Sequence, residues 1–311
     1  MQARCNLIID SCCDLPAEAV NRSGVYLLKF PYSIGDDTFN DDMYKSTTPH
    51  DFFEPMRDKN RTLPTTAQVP VPTFDALFRQ VLDEGLPCVY LSFTSALSGS
   101  FDTAMLVRDT VMADYPDGQL LIVDTKLASI AEGLLVLGAI EQRERGLDAQ
   151  ELAAWAEEAR WFVNSQFMVD DIEALAKGGR MPQGMAMIGA KLDVKPLLGF
   201  DLDGGLTLVG MARGHKKAIR SLAEHFQKYG DHQAQSERVI IASADAQRDV
   251  DKLRDEMAKQ GDNTVFLESS IGPVIGSHVG PGMLACTFWG DDRREGVGVA
   301  DRIARIVKDS R

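Results

Sequence analysis

Two rhythms of apolar and polar positions run along the chain. Short continuous apolar runs, Leu7-Ile8-Ile9, Cys88-Val89-Tyr90-Leu91 and residues 120–123, each stop at a small polar residue: Asp10, Ser92 and Asp124. Runs of that length without alternation are the mark of strands covered on both faces. Residues 25–30 predict one more strand. Between these runs the spacing changes to that of a helix. Phe74, Leu77, Phe78, Val81 and Leu82 fall on one face of a helix over residues 70–84. Residues 49–57, 98–112, 127–145 and 148–162 predict further helices, and Pro16 opens another. Strand and helix in alternation imply parallel βαβ units, whose ligands bind beyond the carboxyl ends of the strands. Here those ends carry Asp10-Ser11, residues 92–95 and Asp124-Thr125.

Near residue 165 the pattern shifts. Phe167-Met168-Val169 predicts a strand, and Asp170-Asp171 cap a short helix that ends at Gly178-Gly179. Strands follow at 206–209, 239–242, 264–267 and 284–289, with helices at 215–229, 246–260 and 297–308. The glycine-rich stretch 271–282 reads as a turn. The expected fold class is α/β, with two α/β domains. Residues 1–163 would carry a mainly parallel sheet, and residues 164–311 a mixed sheet and an extra C-terminal helix.

Composition narrows the function. Of 311 residues, 44% are hydrophobic and 25% charged, which is ordinary for a folded soluble domain. Forty-six acidic against 33 basic residues leave a net charge of −13, a field that repels phosphate backbones and excludes nonspecific nucleic-acid binding. The most apolar stretch, residues 133–140, is far short of the ~20 residues of a spanning helix. The apolar run before Asp10 is too short for a secretory signal. Five cysteines, an odd number without C-x-x-C spacing, indicate reduced thiols and a cytoplasmic setting.

Familiar catalytic motifs are missing. There is no P-loop and no G-x-S-x-G, and the five histidines have no metal-ligand spacing. Gly280-Pro281-Gly282-Met283-Leu284-Ala285 fits a relaxed dinucleotide pattern but leads into a strand, where that fingerprint needs a helix. What remains is hydroxyls, basic residues and methionines. Thr65-Thr66-Ala67-Gln68 and Thr94-Ser95-Ala96-Leu97-Ser98-Gly99-Ser100 are hydroxyl clusters. Ser98 is placed to cap the helix that follows, and the same geometry holds a carboxylate or phosphate; Ser95, upstream of the cap, favours a ligand. Lys216 and Lys217 begin a helix, where cations oppose the dipole, so an acidic partner or local carboxylates would explain them. Met185, Met187 and Ile188 form an adaptable apolar stripe suited to the core or to an alkyl chain.

Read together, these blocks resemble the DegV family. Asp10-Ser11-Cys12-Cys13-Asp14-Leu15-Pro16, Thr65-Thr66-Ala67-Gln68, Ser95-Ala96-Leu97-Ser98-Gly99-Ser100, Val123-Asp124-Thr125, Leu175-Ala176-Lys177-Gly178-Gly179-Arg180, Arg213-Gly214-His215-Lys216-Lys217-Ala218 and residues 271–282 follow in the family's order. The resemblance implies a fatty-acid-binding protein with one long acyl chain between its two domains and no other cofactor or metal. It implies that the protein is no enzyme itself but presents the carboxylate to the catalytic subunit of a fatty acid kinase, for conversion to acyl phosphate in phospholipid metabolism. By position, Thr66, Ser95 and Ser98 would hold the carboxylate; Arg180, Arg213 and His278 would lie at the entrance or meet the kinase; Met185, Met187 and Ile188 would line the acyl chain. The expected partners are the long-chain fatty acid, the kinase subunit and, transiently, a membrane. Three departures bear on the site: Ala67 stands where the family often has serine, Cys12-Cys13 replace a hydroxyl and a small residue, and His215 takes a usual arginine position. The alternative is a self-sufficient esterase or phosphotransferase built on Ser95 or Ser98 with His278.

Overall fold

The computed structural model describes residues 3–58, 62–170, 172–182, 185, 194–231, 237–259 and 264–295. The first half of the chain runs β1 (Asn6–Asp10), α1 (Ala17–Val20), β2 (Val25–Leu28), β3 (Pro31–Ile34), β4 (Asp37–Asn40), α2 (Pro49–Phe53), β5 (Thr65–Thr66), α3 (Val71–Leu82), β6 (Cys88–Ser92), α4 (Ser100–Met112), β7 (Leu120–Asp124), α5 (Ile130–Glu144) and α6 (Ala149–Ala159). The second runs β8 (Val163–Met168), α7 (Ile172–Lys177), β9 (Val194–Phe200), β10 (Leu206–Arg213), α8 (His215–Tyr229), β11 (Glu237–Ser243), α9 (Gln247–Ala258), β12 (Thr264–Ser270), α10 (Pro273–Val279) and β13 (Leu284–Trp289).

Strands β2-β1-β6-β7 form a parallel sheet. Every residue of β1 and β6 is buried, as their unbroken apolar runs require when helices cover both faces. The second sheet, β10-β9-β8-β13-β11-β12, is mixed, with only β11 and β12 parallel. Helix α5 is almost wholly buried because it packs on the 3-10 turn Ser11–Cys13 of the first half and on β8 and β13 of the second. Gly133 permits that approach: a Cβ there would sit 2.5 Å from the Cys13 carbonyl oxygen.

Several elements differ from the expectation, each for a physical reason. Helix α4 starts at Ser100 rather than 98: Gly99 is its cap residue, and Ser98, one residue earlier, stays outside the helix with its Oγ accepting the Ser100 N–H at 3.2 Å. Helix α5 starts at Ile130 rather than 127 because Ser129 is held at φ 55°, ψ −145°, outside any helix. Strand β9 is not predicted by the sequence pattern, since Pro196 and Gly199 both argue against a strand interior. It tolerates Pro196 because β8 pairs with β9 only at Leu197 and Leu198. A small antiparallel sheet, β4-β3-β5, was also missed; its β5 holds two residues, too few to carry a periodicity. The stretch 271–282 is not simply a turn, because Pro273 to Val279 form α10. The expected helix over 297–308 lies outside the described residues.

What seats α10 comes from the other half of the chain. Asp14, buried and left-handed at φ 49°, accepts the Gly272 N–H at 2.9 Å and the Ser129 hydroxyl at 2.5 Å. Its own carbonyl accepts from Ser269 Oγ. Tyr44 Oη donates to the Ile271 carbonyl at 2.6 Å, and Thr94 Oγ1 to that of Gly204 at 3.1 Å. Removing the Asp14 carboxyl strands a buried N–H and a hydroxyl, a change worth about 2–4 kcal/mol. Asp14→Ala is therefore expected to lower the unfolding free energy by that amount, read in urea as a lower midpoint at unchanged m, and an unchanged midpoint would show that the contact contributes nothing.

Candidate functional site: a cavity between the two sheets

A cavity of about 240 Å³ lies between the segments that follow the carboxyl ends of the parallel strands and the face of the mixed sheet. Its walls are mostly apolar. Phe30, Phe93 and Leu97 come from the first half, and Phe167, Phe200, Leu206 and Met283 from the second. Helix α10 adds Val274, Ile275, Val279 and His278. At one end Thr66, Arg180 and His278 also line a second, open pocket with Thr65, Lys177 and Ser277, so that end is the mouth.

The mouth is built around a hydrogen bond between elements 212 residues apart. His278 Nε2 lies 2.8 Å from Thr66 Oγ1. Burial, and after it the charge of Arg180, pushes the His278 pKa down to about 4. The imidazole is thus neutral at physiological pH and carries one proton. If that proton is on Nε2, it goes to Thr66, and the threonine proton is free to point into the cavity. If it is on Nδ1, Thr66 must give its proton to Nε2, and a buried Nδ1–H is left without a partner. An anion at the mouth selects the first arrangement, because only that one offers it a donor. Gly178 lies against the ring: a Cβ there would be 2.2 Å from Nδ1.

Arg180 closes the opposite lip. Its Nε and Nη2 donate to the Leu97 carbonyl at 3.2 and 3.0 Å, and its Nη1 to the Gly178 carbonyl at 2.5 Å. Ser98 lines the cavity and lies 3.0 Å from Ser100 Oγ, which in turn accepts the Val69 N–H at 3.2 Å. That chain braces the strip from Thr66 to Val69.

Four carboxyls surround the end marked by Cys12 and Ser129. Asp10 accepts from Cys12 N, Phe93 N and Tyr90 Oη. Burial pushes its pKa up to about 6 and that of Asp41 to about 7, and drives those of Asp14 and Glu132 up as well. Glu132 is fully buried beside Asp10, and neither of its oxygens has a protein partner as a carboxylate. As a neutral acid it can instead donate its proton to Asp10. None of the four offers a cation to a ligand.

The structure brings together Thr66, Ser98, Arg180 and His278 out of the residues expected from sequence. Ser95 does not join them. It is exposed and absent from the cavity lining, with Oγ donating to Asp124 Oδ2 at 2.6 Å and its N–H to Oδ1 at 3.1 Å, so its polar groups cap the end of β7. Arg213 is exposed at the end of β10, away from the mouth lining. Met185 is buried in the apolar core and is not among the residues lining the cavity. Met187 and Ile188 lie outside the described residues. His278 sits on a helix rather than in a turn, and its partner is Thr66 rather than a serine. His215 is held between Asp170 at 3.1 Å and Asp249 at 3.0 Å, while Lys216 and Lys217 are exposed. The aromatic walls and Ser129 were missed, and a scattered set of phenylalanines gives no local signal to find them. Outside the cavity His50, Glu54 and Asp245 converge, but Arg57 already donates to Glu54 at 3.3 Å and to Asp245 at 2.8 Å.

These features define a class of α/β proteins with a largely apolar internal cavity and a polar mouth. Residues 4–290 match the family described as "Uncharacterised protein, DegV family". The chain belongs to the DegV family. A DegV domain-containing protein of Clostridium perfringens is 31% identical over 92% of this chain and 98% of its own. A DegV family protein of Thermus thermophilus, whose structure is described by its fatty acid binding, superposes with a TM-score of 0.82 at 29% identity, over 93% of this chain and 100% of the other. DegV of Bacillus subtilis, described as a fatty acid binding protein, gives 0.79 at 25% identity over the same shares.

The buried acids carry a pH signature. A carboxyl whose pKa rises on folding takes up a proton as the chain folds, so its contribution is full below its unfolded value of about 4.3 and is lost as pH rises through the folded one. Replacing Glu132 with the neutral, isosteric glutamine removes that loss. The melting temperature of Glu132→Gln relative to wild type is expected to be higher at pH 8 than at pH 5, and an equal difference at both would show that Glu132 does not titrate there.

Proposed function

We propose that the protein binds one long-chain fatty acid in this cavity, with its carboxylate at Thr66, and presents it to a separate kinase for conversion to acyl phosphate. The observation that carries the reading is the polar mouth, Thr66, His278 and Arg180, on a mostly apolar cavity. The fatty acid binding described for the Thermus thermophilus and Bacillus subtilis proteins supports the same ligand. Residues 1–163 and 164–311 are then the two domains that enclose the chain.

Each buried CH₂ contributes about 0.8 kcal/mol, so the alkyl chain supplies most of the affinity and the head group sets its direction. A carboxylate cannot be left bare there, because an unpaired buried charge costs several kcal/mol. Thr66, fed by His278 Nε2–H, donates one hydrogen bond. Reversing the Ser98–Ser100 bond at the same separation frees a second proton from Ser98. The charge of Arg180 favours this orientation. Neutral donors keep the carboxylate oxygen nucleophilic. It attacks the terminal phosphorus of a nucleoside triphosphate held by the kinase, an O–P bond forms, and the nucleoside diphosphate leaves. Exposed Arg213 is placed for the partner rather than the ligand.

Native mass spectrometry of the purified protein is expected to show a co-purified fatty acid, and failure to carry or take up palmitate or oleate would end the proposal. Thr66→Val should weaken palmitate binding roughly tenfold or more, the worth of a hydrogen bond to a charged group. Unchanged affinity would put the head group elsewhere. Arg213→Ala should keep palmitate affinity while lowering acyl phosphate formation with the kinase subunit; weakened binding would instead place that arginine at the ligand.

A further inference from the structure

We propose that Ser165 and Thr287 form a second polar contact in the cavity wall that selects acyl chains carrying an oxygen part-way along, such as hydroxy or keto fatty acids. The inference rests on the fatty-acid reading above and names a finer ligand class for the same cavity.

The wall that the mixed sheet presents to the cavity is Ser165 and Phe167 of β8, Phe200 of β9, Leu206 of β10 and Ala285 of β13. Ser165 is the one polar side chain in that set. In the antiparallel register of β8 and β13 it stands opposite Thr287, which is fully buried, and the two hydroxyl oxygens are 2.7 Å apart. Cross-strand hydroxyl pairs ordinarily stabilise a sheet, and this one does so too. The proton count leaves a remainder. Two hydroxyls carry two protons, their mutual bond uses one, and among the described residues neither hydroxyl has another hydrogen-bond partner. One donor and several acceptor lone pairs are therefore left at an apolar wall, next to space that an alkyl chain would fill.

A plain alkyl chain leaves that proton unpaired. A chain oxygen at the same level accepts it, and a hydroxyl on the chain can also donate back. The contact is inside the cavity rather than at the head group, because the mouth residues Thr66, Arg180 and His278 line the outer pocket and Ser165 does not. Such a site rewards a bound oxygen by roughly three- to tenfold, the range of one neutral hydrogen bond. It also penalises removal of the hydroxyl only for the oxygenated ligand, which separates recognition from general packing.

The test is a competition titration of the full chain against a fluorescent fatty acid, with stearic acid and with stearic acids hydroxylated at carbons 9, 10 and 12 as competitors. For each acid the affinity is divided by that for stearic acid. Ser165→Ala is expected to lower this ratio at least threefold for one or more hydroxylated acids, and Thr287→Val to lower it for the same acid. Where Thr287→Val fails to fold, Ser165→Ala decides alone, since removing one oxygen from a strand beside open space leaves no overpacking. A ratio shifted less than threefold for every hydroxylated acid overturns the inference and leaves the fatty-acid reading standing. A wild-type protein that binds neither stearic acid nor any of the hydroxylated acids overturns both.

Discussion

The seating of one seven-residue helix by a carboxyl from the other half of the chain is the contact on which the site depends. Asp14 reaches across from the turn after β1 and accepts the N–H of Gly272, the residue that caps α10. A helix this short has little stability of its own, and most of its backbone donors are terminal. Asp14 supplies an acceptor that the local sequence lacks, since Gly272 has no side chain to cap with. Gly272 is also the residue that can fit there: a Cβ would lie 2.6 Å from Asp14 Oδ1 and 3.1 Å from Asp41 Oδ2. Once α10 is seated, four of its side chains wall the cavity and His278 meets Thr66.

Charge is arranged along the cavity in the same way. A cation and neutral donors stand at the mouth, and buried acids stand near Cys12 and Ser129, where desolvation favours their protonated forms. The acids serve the framework first. Asp10 ties the turn at Cys12 to the end of β6 through Phe93, so one carboxyl positions two lining residues. The protein's overall acidity would repel a fatty acid anion at long range. The mouth opposes that field locally with Arg180, which is held by backbone carbonyls rather than by a neutralising carboxylate.

Much of the framework was legible in the sequence. Strands β1, β6 and β7 announce themselves as unbroken apolar runs, α8 spans the very residues its period marks, and β13 likewise. Thr66, Ser98, Arg180 and His278 stand in motif blocks that point to the mouth, although only as blocks and not as a constellation. Ser95 shows the limit of that reading. It sits three residues from Ser98 with the same chemistry, yet an ordinary competitor, Asp124, takes its hydroxyl. Position in a motif does not say which carboxylate is nearer.

The sequence alone determined the α/β class, the order of the main buried strands and long helices, and the supply of hydroxyl and basic groups, because periodicity and end-capping are local properties that a few neighbouring residues decide. Only the tertiary structure decided that α10 is a helix, that Ser95 turns outward, and that Thr66 meets His278 across most of the chain. Those outcomes depend on which distant group satisfies a buried donor or acceptor, and that is settled by packing rather than by any pattern along the chain.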